Sequence, residues 1–245
     1  MMTQLKWFCF ISLVFAASAA FPATSLNFET GQASNTFNQV RISGEDGTRF
    51  NLRPALDPII YYRLGLTTKS DSSPHGFRLL YAPLRFSGDK KFSKDIVFRG
   101  ENFPAGEKTE ALYQFNSYRG SYFYEVLAQE NFFLRLGGTL KVRDAITELK
   151  QNDKKQTKKN IGVVPLLYLS SEYKWNSGFL VALDFDGLMA PQGRAFDVAV
   201  MMGYAFFSSF NLNFGVRMLE GGVDNEKVYN FSQINYYFSA LQFNF

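Results

Sequence analysis

Apolar and non-apolar residues alternate along much of this chain. Leu134, Leu136, Leu140 and Val142 are interleaved with Arg135, Gly137, Thr139, Lys141 and Arg143. Phe179, Val181, Leu183 and Phe185 alternate with Ala182, Asp184 and Asp186, and Leu212, Phe214, Val216 and Met218 with Asn211, Asn213, Gly215 and Arg217. A period of two sends successive side chains to opposite faces of a β-strand. One face of each segment is therefore oily, and the other is small, polar or charged. Beyond the first twenty residues no stretch reaches 18 apolar residues, and the longest apolar tract lies near 198–207. Spanning helices are not expected.

A soluble two-sheet sandwich has the same period. Two features point instead to a barrel in a membrane. The non-oily face carries charges and glycines well inside the strands, as a polar lumen would, with aliphatics turned to lipid. The chain also ends on an alternating strand that places Tyr237, Leu241, Phe243 and Phe245 on one face. A terminal aromatic on such a strand resembles the signal read by the barrel-insertion machinery of the outer membrane. Closure also satisfies the backbone, since lipid offers no partner to unpaired N–H and C=O groups.

The segments 25–33, 58–67, 76–86, 109–127, 131–144, 160–174, 178–187, 195–206, 210–219 and 230–245 read as strands. The fold class is all-β: a single antiparallel up-and-down transmembrane β-barrel of about ten strands, with eight to twelve compatible with the pattern. Long connections (34–57, 87–108, 145–159, 188–194, 220–229) alternate with short ones (68–75, 128–130, 175–177, 207–209), which places both termini at the periplasmic end. The segment 94–99 reads as extending a hairpin above the membrane. Clusters such as Tyr61–Tyr62, Tyr122 to Tyr124, Phe132–Phe133, Tyr204 to Phe207 and Tyr236 to Phe238 suggest aromatic girdles, which would account for an aromatic content of 17%.

The first nineteen residues read as a cleaved signal peptide, leaving 20–245 as one barrel domain. Lys6 provides the positive start, 7–16 the apolar run, and Ala17-Ser18-Ala19 the small-x-small cleavage pattern. The only cysteine, Cys9, lies inside that apolar run, so the exported chain is expected to have neither disulfide nor thiol chemistry.

Parity turns an almost balanced set of charges inward: Glu29, Arg63, Arg78, Arg119, Glu125, Arg135, Lys141, Arg143, Glu172, Asp184, Asp186, Asp197 and Arg217. Charges withdrawn from water should pair, because a lone buried charge is costly. Two layers are expected. Near the periplasmic end Glu125, Arg135 and Glu172 lie on consecutive strands. Near the outer end Asp184, Asp186 and Asp197 face Lys141, Arg143 and Arg217. Together they would plug the lumen. The three aspartates could instead hold Ca²⁺ or act as an acid–base pair, but cations as numerous as the carboxylates favour a salt-bridge network. No metal or cofactor is expected.

Enzymes built on small outer-membrane barrels generally use a histidine. This chain has one, His75, in the turn-like Ser72-Ser73-Pro74-His75-Gly76, on the periplasmic side. It has no Gly-x-Ser-x-Gly. A histidine-dependent site is disfavoured, and a carboxylate-only hydrolase is the catalytic alternative. The run 150–159 (KQNDKKQTKK) reads as an external loop whose Lys154, Lys155, Lys158 and Lys159 could contact lipopolysaccharide phosphates or simply be solvated. A net charge of only +4, with no basic helix, gives nucleic-acid binding no support.

Several strings carry a resemblance: Val40-Arg41-Ile42-Ser43-Gly44 with Gly47-Thr48-Arg49-Phe50, Leu80-Tyr81-Ala82-Pro83-Leu84, Phe115-Asn116-Ser117-Tyr118-Arg119, Lys141-Val142-Arg143-Asp144-Ala145, Val164-Pro165-Leu166-Leu167, Pro191-Gln192-Gly193-Arg194-Ala195, and Glu220-Gly221-Gly222 through Tyr229-Asn230-Phe231. They resemble an uncharacterised family of small proteobacterial outer-membrane β-barrel proteins. The resemblance implies the barrel and its location, and no activity. The expected role is that of a monomer in contact with outer-membrane lipids and lipopolysaccharide: structural, adhesive or ligand-binding, with a small pore as the alternative.

Overall fold

The structure, a computed structural model, describes residues 24–42, 46–70, 72–191 and 193–245. The expected signal peptide lies outside the described residues. The strands are β1 (Thr24–Ile42), β2 (Phe50–Asn51), β3 (Ile59–Lys69), β4 (His75–Ala82), β5 (Arg85–Lys91), β6 (Ile96–Phe98), β7 (Glu101–Phe103), β8 (Lys108–Ala128), β9 (Phe132–Gln151), β10 (Lys154–Lys174), β11 (Phe179–Ala190), β12 (Gly193–Phe207), β13 (Phe210–Asp224) and β14 (Val228–Asn244).

Ten staves close into an antiparallel barrel, in the order β1, β3, β4 with β5, β8, β9, β10, β11, β12, β13, β14. β14 pairs back onto β1 from Ser25↔Asn244 to Ile42↔Val228. The main chains of Thr24 and Phe245 bond reciprocally at the end of that seam. The third stave is interrupted: β4 and β5 both pair with β8, and Pro83, which has no N–H to give the ladder, sits at the break. There the Leu84 N–H donates to Asn116 Oδ1 at 3.1 Å instead.

The alternation of the sequence is the alternation of the wall. Leu140, Leu167, Met202, Phe214 and Tyr237 stand outside, all more than half exposed. Arg119, Thr139, Lys141, Asp186 and Asp197 point in and are buried. The aromatic clusters divide by the same parity. Tyr62, Tyr122, Tyr124 and Phe206 face out, whereas Tyr61, Phe123, Tyr236 and Phe238 fill the lumen. Part of the expected clusters is therefore spent inside the lumen rather than on the outer wall.

Several segments expected to be external loops are strand. β9 and β10 pair up to Gln151↔Lys154, which leaves a two-residue turn in place of the expected 145–159 loop. β1 runs on to Ile42, β11 to Ala190 and β13 to Asp224. A strand of 21 residues such as β8 or β10 is about 70 Å long at ~3.3 Å per residue. Tilted by ~40°, it stands about twice as tall as the ~25 Å apolar band of an outer-membrane barrel. The upper half is a polar palisade. Its mouth is roofed by the segments 46–58 and 92–107, in which β6 and β7 form a small hairpin. Beneath that roof Phe50, Leu52, Phe86, Phe98, Phe103 and Leu149 form an apolar core.

Candidate functional site

The lumen is crossed by a sheet of ion pairs. Each member is delivered by strand parity, from β1 (Glu29), β3 (Arg63), β4 (Arg78), β8 (Arg119), β11 (Asp184 and Asp186), β12 (Asp197) and β13 (Arg217). Asp197 lies at its centre: Oδ2 accepts from Arg63 at 3.1 Å and Arg119 at 2.5 Å, and Oδ1 from Arg217 at 2.6 Å. Asp186 Oδ2 accepts from Arg78 at 2.6 Å and Arg119 at 2.7 Å, while its Oδ1 takes the Thr139 hydroxyl at 2.6 Å. Asp184 accepts from Arg78 at 2.7 Å. Glu29 accepts from Arg217 at 2.9 Å and from the Tyr61 hydroxyl at 2.7 Å. Four guanidiniums thus meet four carboxylates in a water-poor space, mostly through charge-assisted hydrogen bonds.

The pairing differs from the expected layers. Asp184, Asp186, Asp197 and Arg217 do meet, but their cations are Arg63, Arg78 and Arg119, with Glu29 as a fourth carboxylate. Lys141 and Arg143 make no ion pair with them. Lys141 lies above the sheet with its ammonium 4.7 Å from the Phe115 ring centroid, and Arg143 donates to Asn160. Near the terminus-bearing end Arg135 donates to Glu125 at 2.8 Å, and Lys69 joins that carboxylate at 3.1 Å. Glu172 stands on the next strand without an ion pair among the described residues. Sequence parity identified Glu29, Arg63, Arg78 and Arg119 as inward, but not their level. Level depends on the stagger between strands, which the residues alone do not specify.

Two cavities flank the ionic sheet and share no lining residue. The one toward the termini, about 420 Å³, includes Glu125's partner Arg135, together with Glu172 and Asn244. The outer one, about 520 Å³, is a cleft between the β9–β10 wall and β11 to β14, with Lys141 among its lining residues. Tyr113 crosses the lumen beside it, and its hydroxyl lies 2.8 Å from Ser232 on β14.

The lysine run is strand, and its members separate. Lys155 lies on the outer face, paired with Glu148 at 3.0 Å, and Lys159 shares its parity. Lys158 lines the outer cleft, and Lys154 pairs with Glu101 of the roof at 2.9 Å. His75 opens β4 at the terminus-bearing end, where its Nδ1 lies 2.5 Å from the Tyr122 hydroxyl. Tyr237, Leu241 and Phe243 follow outward parity along β14, and Phe245, just past its end, is exposed like Tyr237 and Phe243. At the outer rim Arg194 holds Glu220 at 2.8 Å and stacks over Phe231, and Arg49 covers Tyr229.

A closed ten-stranded antiparallel barrel with an oily outer wall and an ionic lumen is the fold of the outer-membrane β-barrels. The outer membrane protease OmpT from Escherichia coli has the same fold, with a TM-score of 0.55 at 11% identity, covering 92% of this chain and 98% of that one. The COG4313 outer membrane channel from Pseudomonas putida F1 matches with a TM-score of 0.45 at 9% identity over 91% of this chain and 96% of that one. Neisserial surface protein A matches with a TM-score of 0.37 at 11% identity over 91% and 99%. At these identities the likeness is one of fold alone. No protein-family model matches the chain, and no curated protein matches its sequence.

Proposed function

We propose that this chain is a monomeric barrel of a Gram-negative outer membrane, that its lumen is sealed, and that it works by binding at its external face rather than by conducting or catalysing. The carrying observation is the ionic sheet. It joins seven of the ten staves and separates two cavities with no residue in common. The belt of exposed aliphatics supports residence in lipid, with the end bearing Thr24 and Phe245 toward the periplasm. In this reading the outward face of β14, from Tyr237 to Phe245, is read by the insertion machinery. Lys155 and Lys159, above the belt on the outer face, would meet lipopolysaccharide phosphates.

The carboxylates that a hydrolase would need are each held by one or more arginines, which suits a strut better than a proton shuttle. Planar-bilayer recording on the full chain tests the proposal. A membrane that stays silent near neutral pH is expected. Steady single-channel steps would overturn the sealed lumen.

A further inference from the structure

Lys141 is inward on β9, only 2% exposed, and forms no ion pair with a carboxylate among the described residues. The nearest acids are unavailable: Asp186 and Asp197 sit in the sheet below, and every one of their oxygens already accepts from an arginine or from Thr139. Two residues further up β9, Arg143 turns into the same cleft. Its Nε is buried and donates to nothing, and only its outer nitrogen finds Asn160. Lys158 completes this wall from β10. Glu220, the one carboxylate among the described lining residues, is engaged by Arg194. A buried cation without a counter-charge is costly, and the half-buried Arg143 guanidinium faces the same space as Lys141. The rest of the cleft is largely apolar, including Phe115, Val164, Leu188 and Leu219. Its volume of about 520 Å³ lies within the range of small-ligand pockets, which pair apolar walls with a few placed polar groups.

We infer that this cleft is a binding site for a small amphiphilic anion: a phosphate, sulfonate or carboxylate head set between Lys141 and Arg143, with an apolar body against the opposite wall. The anion supplies the charge that the barrel withholds, and the free Arg143 Nε becomes a charge-assisted donor. This rests on the proposed external binding role and gives it a ligand class. β10 and β11 pair only from Leu167↔Gly187 toward the termini, so above that level the cleft lies between two parted strands, and the ligand would enter through the side of the wall rather than cross the barrel.

The test uses the full chain in lipid nanodiscs, titrated calorimetrically with phenyl phosphate against empty discs, with inorganic phosphate and phenol as the head alone and the body alone. Saturable one-to-one binding of phenyl phosphate is expected, at least roughly ten-fold tighter than either fragment. Lys141→Met should weaken it by about ten-fold or more, as expected for loss of a charge-assisted contact. If Lys141→Met fails to give the heat-modifiable gel shift of a folded barrel, Arg143→Gln on the more open wall carries the same expectation. No saturable binding, phenol binding as tightly as phenyl phosphate, or folded variants binding like the parent would each overturn the site. Binding by a protein that also conducts would sink the sealed lumen and leave the site standing. Silence in bilayers without binding would do the reverse.

Discussion

Arg119 on β8 donates to Asp197 on β12 at 2.5 Å across the lumen, although three strands separate β8 from β12 in the wall. Both side chains are almost wholly buried, at 1% and 2% exposure. The contact is a strut between opposite sides of the barrel, and Asp197 also receives Arg63 and Arg217. Asp197→Asn keeps the shape and removes the charge on which three guanidiniums converge. Breaking a buried pair from one side typically costs about 3–5 kcal/mol. Urea unfolding in lipid vesicles, followed through Trp175, should show a loss of that order. A loss below about 1 kcal/mol would mean that the sheet is not under electrostatic tension.

Removing Arg119 and Asp197 together has a different expected result. Arg119→Ala with Asp197→Ala leaves the net charge unchanged and each remaining ion with a partner: Asp186 keeps Arg78, and Glu29 keeps Arg217 and Arg63. The partition then has a hole at its centre, and the two flanking cavities should join. Steady conductance absent from the parent is the predicted readout. A folded, silent double variant would show that Tyr113, Tyr61 and Tyr236 close the lumen without the ion pairs.

How much of this was legible follows from which faces touch lipid. Leu136, Leu140 and Val142 alternate with Arg135, Lys141 and Arg143 because hydrocarbon is on one side and the lumen on the other, so parity is written in residue type. Above the membrane both faces of a strand are wet and the alternation disappears. Lys154 to Lys159 therefore read as a solvated loop while in fact pairing residue by residue with β9. The roof residues Phe50, Phe98 and Phe103 lie on strands of only two or three residues, too short for a period to show in the sequence. Parity also cannot say who meets whom. Arg119 and Lys141 are both inward and opposite each other on neighbouring strands, yet only Arg119 reaches the aspartates.

Closure of the barrel depends on a missing side chain. A Cβ added at Gly31 would lie 2.0 Å from the carbonyl oxygen of Tyr237, on the strand that closes the cylinder. That atom is backbone, so β1 and β14 would have to part locally. Gly31→Ala should therefore lower the yield of heat-modifiable folded barrel and speed unfolding. Gly65→Ala is the control, since its added Cβ meets only ordinary contacts. Equal behaviour of the two variants would show that the seam tolerates a wider gap.

The outer palisade should respond to acid. Burial alone would raise the Glu148 carboxyl, but hydrogen bonds from Thr157 and Lys155, and the Lys155 and Arg85 charges, hold it below its ordinary value. A depressed carboxylate contributes stability that is present above its unfolded pKa, about 4.3. That stability is lost as pH falls through the lower folded value. The pair is largely solvated, so the contribution is at most about 1 kcal/mol. Hydrogen exchange at the tip of β9 and β10 should quicken below about pH 4 relative to neutrality, after correction for intrinsic rates, and Glu148→Gln should flatten that dependence. A variant that still showed the full acid response would place its origin elsewhere.

The roof can be loosened without opening the wall. Phe98 is fully buried, meets Phe50 edge-on at 6.3 Å between ring centroids, and belongs to a hairpin of only β6 and β7, which pair with each other and not with the barrel. What holds that hairpin down is its apolar underside, together with a few bonds such as Val97 N–H to the Thr48 hydroxyl at 2.9 Å. Burying a Phe and then truncating it to Ala typically costs about 3–5 kcal/mol. Here the loss should fall on the local opening of 92–107, because the ladder of the barrel does not pass through it. Phe98→Ala should therefore be cut by protease in that segment while the remaining barrel keeps its heat-modifiable mobility. Resistance equal to the parent would mean that the roof is held by its polar contacts. Collapse of the whole barrel would mean that roof and wall fold as one unit.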